Sequence, residues 1–170
     1  KEEALRWIVD NQLSPSVLGR SIFCEKSLST AYKIGCREYL IFASGYDTFA
    51  YRNNLPNLKI YEIDKKEMIE DKIKRLEDNK IDHSKVEYIT CDFTNDNCIN
   101  NVINSSYNQE KTSFCSLLGI SYYLTKREFS SMINHISNII SSGSTIVFDY
   151  PTYDDSKETK TNEQLAEKAN

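Results

Sequence analysis

Short apolar runs alternate along this chain with stretches in which apolar residues recur every three or four positions. The first pattern is typical of buried strands and the second of helices with one buried face. The runs predict five strands, at residues 39–43, 59–64, 86–91, 113–118 and 145–148. The periodic stretches predict helices near residues 2–12, 27–34, 47–52, 65–79 and 97–105, and one that begins after residue 125.

That last helix has the clearest boundaries. Thr125 and Glu128 form a capping box, in which the hydroxyl and the carboxylate bond to the first free backbone amides of a helix. Apolar residues from Phe129 to Ile140 keep helical spacing. Gly143 follows where a left-handed residue is expected to end the helix.

Strands that alternate with helices predict an α/β fold, because right-handed crossovers place helices on both faces of a parallel sheet. We expect a Rossmann-like three-layer sandwich with a mainly parallel central sheet. One domain is predicted over residues 1–153, with residues 1–36 as an N-terminal helical cap. The almost wholly polar residues 154–170 predict a tail or a truncated C-terminal segment.

Polar residues gather directly after the predicted strands, and this is the edge at which open α/β sheets bind ligands. After the first strand, Gly45 with Ala43 and Ser44 before it lets the backbone turn sharply and approach a ligand closely. After the second, Glu62 and Asp64 stand where a carboxylate accepts hydrogen bonds from ribose hydroxyls. The pattern predicts a nucleoside site.

The same turn indicates which nucleoside is favoured. It lacks the Gly-x-Gly-x-x-Gly pattern of dinucleotide enzymes, and Asp47 would repel a phosphate. A nucleotide-dependent oxidoreductase is therefore disfavoured. The cationic nucleoside S-adenosylmethionine suits a turn that carries an acid.

Composition removes several other classes of function. The chain has 170 residues and a net charge of -4, which gives no general attraction to nucleic acid. Its apolar runs are shorter than the roughly 18 to 20 residues that span a bilayer, so no membrane partner is expected. The five cysteines form no Cys-x-x-Cys pattern, and three of them lie in apolar runs, as reduced core thiols do. They predict a cytoplasmic protein with no disulfide framework and no zinc site.

In their order along residues 16–151, these motifs resemble the S-adenosylmethionine-dependent methyltransferases that include leucine carboxyl methyltransferases and bacterial polyketide O-methyltransferases. The family pattern Gly-x-Gly-x-Asp-Thr-x-x-x-Arg corresponds to residues 43–52, with Ala43 in place of the first glycine. The pattern Glu-Gly-x-x-x-Tyr-Leu corresponds to residues 118–124, with Leu118 in place of the glutamate. The other matching segments are Glu62 to Asp64 with Lys72, Asp92 with Phe93, Gly143 with Ser144, and Asp149 with Tyr150.

The resemblance implies an O-methyltransferase that uses S-adenosylmethionine and acts on a hydroxyl or carboxyl group of a small molecule or a peptide C-terminus. It assigns the cofactor carboxylate to Arg20, the ribose to Asp64 with Glu62, and the adenine edge to Asp92 with the Phe93 amide. The full implied set for the cofactor is Arg20, Ala43, Ser44, Gly45, Asp47, Glu62, Asp64, Asp92, Phe93, Leu118 and Gly119. Arg52 and Tyr122 are the substrate candidates and Tyr123 is the catalytic candidate.

Several alternatives stay open at this point. Arg20 fits an exposed helix arginine equally well, Arg52 fits a salt bridge to Asp47, and Tyr123 fits a packing residue. No general base is identified, since His83 and His135 are expected to be structural or surface residues. Leu118 and the missing apolar runs after residue 151, where the family has a C-terminal hairpin, leave open a noncatalytic adenosyl-binding or scaffold domain.

Overall fold

The computed structural model of the protein describes residues 6, 7, 10, 14–93 and 99–150. Five strands are present in this part of the chain, β1 (Glu38–Phe42), β2 (Lys59–Asp64), β3 (Val86–Thr90), β4 (Ser113–Leu117) and β5 (Thr145–Phe148). The helices are α1 (Ser14–Lys33), α2 (Phe49–Arg52), α3 (Lys66–Asp78), α4 (Ile99–Ile103) and α5 (Lys126–Ile139), with a 3₁₀ turn at Ser121–Tyr123.

All five strands run parallel in one sheet with the order β3-β2-β1-β4-β5. The central strand β1 pairs with β2 on one side, where Ile41 lies opposite Glu62, and with β4 on the other, where Ile41 lies opposite Ser116. Because successive strands extend the sheet first one way and then the other, a crevice is expected at the carboxyl ends of β1 and β4.

The sheet buries both of its faces. Alternate residues of β1 enter different apolar clusters, because successive side chains of a strand point to opposite faces. Leu40 and Phe42 pack with α4 and α5, whereas Tyr39 and Ile41 pack with α1 and α2. This arrangement confirms the predicted α/β sandwich with a parallel sheet.

The predicted limits of the strands lie close to the observed ones. The central strands are covered on both faces, and their sequences are therefore short apolar runs. The limits of β2 and β5 match the prediction, while β1 begins one residue earlier, at Glu38. Glu38 is buried and accepts a hydrogen bond from the Tyr61 hydroxyl at 2.7 Å, which compensates for burial of its carboxylate. A charged residue in a buried strand was not anticipated.

Helix α1 begins at Ser14 rather than near residue 27, so its prediction was wrong by more than three turns. Its first half exposes large apolar side chains, among them Leu18 and Phe23, so the sequence there lacks a single apolar face. Pro15 fits the first turn of this helix, where a missing amide proton costs little. Most of the helix predicted over residues 2–12 lies outside the described residues.

The capping box of α5 is confirmed. The Thr125 hydroxyl accepts a hydrogen bond from the Glu128 amide at 3.3 Å, and the Glu128 carboxylate accepts one from the Thr125 amide at 2.7 Å. Gly143 has the expected left-handed backbone, with φ of 88°, but it lies beyond the C-cap at Ile140. It therefore shapes the turn into β5 and does not end the helix.

The cysteines follow the prediction only in part. Cys24, Cys36 and Cys115 are free and buried, and burial raises the pKa of the Cys24 thiol to about 11. Cys91 is disulfide-bonded, which the sequence did not predict. The reason is that disulfide pairing depends on how close two Cα atoms come in the fold, which spacing along the sequence does not give.

Within the described part of the chain, no helix combines the length and the apolar character needed to cross a bilayer.

Candidate functional site

The carboxyl ends of the strands bring most of the predicted site residues to one edge of the sheet. The turn at residues 43–47 follows β1, and Asp64 ends β2. Gly119 follows β4 and Asp149 follows β5. Parallel strands end side by side, so residues distant in sequence meet there.

Hydrogen bonds to the end of β2 hold the turn that follows β1. Its backbone is left-handed at Ala43, with φ of 52°, and at Gly45, with φ of 44°. The Gly45 amide donates a hydrogen bond of 2.7 Å to Oδ2 of Asp64, and the Ser44 amide donates one of 3.3 Å to the Ile63 carbonyl. A Cβ atom added at Gly45 would meet only the Ala43 carbonyl, at 4.0 Å, so the space beside this glycine is open. A ligand can approach the backbone closely here.

Asp64 is held by backbone amides on both carboxylate oxygens. Oδ1 accepts a hydrogen bond from the Lys65 amide at 2.7 Å, and Oδ2 accepts the bond from Gly45. Asp64 is only partly buried. Each oxygen of an ionised carboxylate accepts about two hydrogen bonds, so Asp64 keeps acceptor capacity for two further donors such as vicinal hydroxyls.

Asp47 lies in the same turn and bonds inward. Its Oδ1 accepts a hydrogen bond of 2.7 Å from the Phe49 amide at the start of α2, and its own amide donates to the Ser44 carbonyl at 2.8 Å. The Ser44 side chain is only 4% exposed, and its Oγ lacks a hydrogen-bond partner among the described residues. A buried hydroxyl of this kind is the sort of group that a bound ligand or a water molecule satisfies.

Glu62 does not fit the ribose contact predicted for it. Its side chain is fully buried, and Oε2 lies 2.6 Å from the Lys72 ammonium and accepts a hydrogen bond of 2.9 Å from the Tyr51 hydroxyl. The Tyr51 hydroxyl lies 3.0 Å from that of Tyr88. Burial raises the pKa of Glu62, and the neighbouring Lys72 and Tyr51 oppose that rise. Glu62 therefore joins β2 to α2, α3 and β3 in the interior.

Asp92 and Phe93 follow β3 at the same edge. The Asp92 side chain is half exposed, and its Oδ1 lies 3.7 Å from the Lys65 ammonium. The Phe93 ring is partly buried and packs against Phe42, with 6.1 Å between ring centroids. Both residues thus lie beside the end of β2, and the adenine contact assigned to them stays a prediction.

At the far side of the edge, Arg20 of α1 meets the ends of β4 and β5. Its Nη1 lies 2.9 Å from Oδ2 of Asp149, and Oδ1 of Asp149 accepts a hydrogen bond of 2.6 Å from the Gly119 amide. Leu118 is partly buried and packs on the apolar cluster beneath α1. Arg20 is thus part of a cluster at the strand ends and is not an isolated surface arginine, and its contact with the cofactor carboxylate stays a prediction.

The substrate candidates Arg52 and Tyr122 and the catalytic candidate Tyr123 have more exposed side chains than the predicted cofactor residues at the strand ends. Arg52 bonds to both carboxylate oxygens of Glu25 and to the Thr48 hydroxyl, so its ion pair is with Glu25 and the alternative of an Asp47 pair is wrong. The side chains of Tyr122 and Tyr123 are 51% and 86% exposed on the 3₁₀ turn. An exposed Tyr123 lacks the enclosed setting that favours catalysis, and its role stays a prediction.

Three residues of these clusters were not predicted as site residues. Asp149 was noted in a motif without a role, although an acid directly after a strand is the same signal that identified Asp64. Tyr51 and Glu25 bond to predicted residues from other elements. No sequence signal indicated those two contacts, because they depend on how α1 and α2 pack.

A pocket of about 940 Å³ lies at the opposite, amino-terminal edge of the sheet. Its lining includes Leu55, Pro56 and Lys59 before and in β2, and Val86 and Glu87 of β3. None of the predicted site residues lines it. The strand ends after β1, β2 and β4, where amide donors and carboxylate acceptors converge, are therefore the better candidate site.

Comparison with known proteins agrees with this geometry. The Leucine carboxyl methyltransferase family model matches residues 1–137. YktD of Bacillus subtilis (strain 168), whose name places it among S-adenosyl-L-methionine-dependent methyltransferases, is 36% identical over 152 residues. That match covers 88% of this chain and 50% of YktD, so the chain spans about half the length of this curated relative.

Solved structures share the fold at low sequence identity. A methyltransferase structure from Thermobifida fusca YX has a TM-score of 0.64 and 12% identity, and the match covers 98% of this chain and 65% of that one. An O-methyltransferase family protein from Burkholderia thailandensis has a TM-score of 0.57 and 13% identity, covering 93% and 50% respectively. The sheet and its edge thus define a Rossmann-like methyltransferase fold. The chain belongs to the leucine carboxyl methyltransferase family.

Proposed function

We propose that this chain forms the S-adenosylmethionine-binding part of an O-methyltransferase. The observation that carries the proposal is the Gly45–Asp64 contact, in which a glycine amide holds a partly exposed carboxylate at the ends of β1 and β2. Asp64 retains acceptors for two ribose hydroxyls. The open space beside Gly45 and the unpartnered Ser44 hydroxyl fit a ligand that lies across this turn.

The remaining contacts of the nucleoside follow from the order of the strands. Asp92 and Phe93 beside β2 would hold the adenine, and the Arg20 guanidinium beside β4 would bind the cofactor carboxylate, which it suits by its paired donors. The turn at Gly45 and the Gly119 segment would then flank the part of the cofactor that supplies the methyl group.

The bound cofactor would supply an electrophilic methyl group for an in-line displacement. The role of the chain is to fix that group and leave an approach for the acceptor oxygen, because alignment of the two reactants supplies much of the rate enhancement. A carboxylate acceptor requires no base, whereas a hydroxyl must lose its proton. We propose a hydroxyl or carboxyl of a small molecule or a peptide C-terminus as acceptor, with Tyr122 and Tyr123 beside it.

A noncatalytic adenosyl-binding domain is the second candidate, favoured by Leu118 and by the exposure of Tyr123. Both candidates require the adenosyl site, and only the first requires methyl transfer. Release of S-adenosylhomocysteine in the presence of candidate carboxylic acids and alcohols separates them. Cofactor binding without transfer to any acceptor would favour the second candidate.

The adenosyl site is tested by calorimetry with S-adenosylhomocysteine and with NAD on the wild-type chain and on Asp64→Asn. The substitution should weaken binding of S-adenosylhomocysteine by about 1 to 3 kcal/mol, the usual value of a hydrogen bond to a charged group. Asp78→Asn, an identical change at the exposed end of α3, serves as control and should bind normally. Unchanged affinity in Asp64→Asn, or preference of the wild type for NAD, would refute the assignment.

A further inference from the structure

Tyr46, the residue after Gly45, links the turn that follows β1 to helix α3. Its hydroxyl donates a hydrogen bond of 2.5 Å to Oδ2 of Asp71. The Nε atom of Arg75 donates to the same Asp71 oxygen at 2.7 Å, and the Arg75 guanidinium carbon lies 5.1 Å from the centre of the Tyr46 ring. Tyr46, Asp71 and Arg75 thus form a closed set of contacts, the Tyr46 cluster.

The Tyr46 cluster lies on the surface of the protein. Tyr46 is 55% exposed, and the side chains of Asp71 and Arg75 are 43% and 64% exposed. Exposed polar contacts add little to the stability of a fold, because water competes for the same groups. The cluster is therefore expected to affect the position of the turn more than the stability of the whole chain.

The contacts of the cluster favour the charge states that they require. The hydrogen bond with Asp71 raises the pKa of Tyr46. The hydrogen bond with Tyr46, followed by that with Arg75, lowers the pKa of Asp71. A protonated phenol therefore faces an ionised carboxylate at neutral pH, and the link between the turn and α3 persists there.

The turn that contains Tyr46 requires contacts of this kind. Ala43 and Gly45 have left-handed backbones, a conformation that is unfavourable for alanine. Such a backbone persists only where the surrounding structure holds it. The amides of Ser44 and Gly45 bond to the end of β2, and Tyr46 adds a contact on the side of α3.

The two elements that Tyr46 joins both adjoin Asp64. The turn donates the Gly45 amide to Oδ2 of Asp64, and α3 begins at Lys66, two residues further along the chain. A movement of the turn away from α3 would disturb the Gly45 hydrogen bond, which orients the Asp64 carboxylate. The orientation of Asp64 thus depends on the link between the turn and α3.

We propose that Tyr46 is a positioning residue of the adenosyl site. Through its bond to Asp71 it keeps the Gly45 amide on Asp64, so that the carboxylate is oriented for the ribose hydroxyls before the ligand binds. Orientation in advance increases affinity, because the ligand then need not order the site. The inference rests on the proposed function, since it takes Asp64 as the acceptor of the ribose hydroxyls.

Ligands with and without ribose hydroxyls test this role. Calorimetry compares S-adenosylhomocysteine with its 2′,3′-dideoxy analogue on the wild-type chain and on Tyr46→Phe, which keeps the ring and removes only the hydroxyl. We expect Tyr46→Phe to weaken S-adenosylhomocysteine roughly three- to tenfold, the range of one hydrogen bond, and to leave the dideoxy analogue within about twofold. Asp71→Ala should have the same effect, and the double variant should lose no more than either single variant, because both changes remove the same bond.

Tyr32→Phe is the matched control. The Tyr32 hydroxyl donates a hydrogen bond of 2.9 Å to the Pro56 carbonyl, and the guanidinium carbon of Arg37 lies 3.8 Å from the centre of the Tyr32 ring. This contact resembles that of Tyr46 but lies where α1 ends and β2 has not yet begun, at the other edge of the sheet. The control variant should bind both ligands as the wild type does.

Wild-type affinity of Tyr46→Phe for S-adenosylhomocysteine would overturn the inference. Equal weakening of both ligands would overturn it too, because Tyr46 would then not act through the ribose contact. If the wild-type chain binds the two ligands equally, or binds neither, the ribose contact of Asp64 is absent and the proposed function itself fails. In thermal melting the variants should stay within about 3 °C of the wild type, since the cluster is exposed. A larger fall together with equal weakening would show that Tyr46 stabilises the whole fold and does not position Asp64.

Discussion

Replacement of Lys72 by methionine should lower the free energy of unfolding more than a substitution on the exposed surface of α3 does. Lys72 is 4% exposed, and its ammonium lies 2.6 Å from the carboxylate of Glu62, which is fully buried. Methionine keeps the unbranched shape and most of the volume of the side chain but lacks the terminal ammonium, so the main change is loss of the charge. Glu62 would then keep the Tyr51 hydroxyl as its remaining described partner.

The magnitude follows from the burial of this pair. Removal of one partner of a buried ion pair typically destabilises a protein by about 3 to 5 kcal/mol, because the other charge stays buried without compensation. Lys66→Met is the matched control on the same helix, since Lys66 pairs with Glu70 at 3.7 Å on the exposed surface. It should change stability by less than about 1 kcal/mol.

The loss should also depend on pH in a defined direction. Burial raises the pKa of Glu62 above its ordinary value, and removal of Lys72 removes the main effect that opposes the rise. A carboxyl group whose pKa is higher in the folded state binds protons more strongly when folded, so stability falls as pH rises between its unfolded and folded pKa values. The loss in Lys72→Met should therefore be larger at pH 8 than at pH 5.

Urea unfolding followed by circular dichroism at the two pH values measures these differences. A second substitution, Glu62→Gln, made together with Lys72→Met should recover most of the lost stability, because it removes the unpaired charge and keeps an oxygen for Tyr51. A loss below about 1 kcal/mol for Lys72→Met, or no recovery in the double variant, would show that Lys72 does not compensate the buried charge of Glu62.

Three further substitutions have defined outcomes in urea unfolding. Ala43→Gly should stabilise the chain by about 0.5 kcal/mol, since relief of the left-handed alanine exceeds the entropy cost of glycine; a net loss would contradict this. Gly119→Ala should destabilise it by about 1 to 2 kcal/mol and displace Arg20, and retention of full stability would show that the turn adapts freely. Thr125→Ala should cost about 1 kcal/mol through loss of the helix cap, and no change would mean that α5 does not depend on it.

The sequence was sufficient for the sheet and for one half of the candidate site. Strand β2 was delimited correctly because its middle residues are buried, and the turn at Gly45 and the acid at Asp64 come directly after β1 and at the end of β2. Parallel pairing of β1 with β2 then brings Gly45 and Asp64 together, and the two residues form a hydrogen bond.

The other half of the candidate site and the N-terminal helix depend on contacts between distant parts of the chain, which no local sequence pattern indicates. Glu62 and Asp64 belong to one motif, yet only the structure separates the buried partner of Lys72 from the accessible acid. Helix α1 was largely missed because its first half lacks a single apolar face. The contact between Arg20 and Asp149 could not be predicted either, because it depends on where α1 crosses the sheet.

A crystal structure of the chain with S-adenosylhomocysteine would show whether the adenosyl site lies at the carboxyl ends of β1 and β2. We expect both ribose hydroxyls within hydrogen-bonding distance of the Asp64 carboxylate and the thioether beside Gly45. Binding of the ligand in the pocket between Leu55 and Glu87 at the opposite edge, with Asp64 uncontacted, would contradict this expectation.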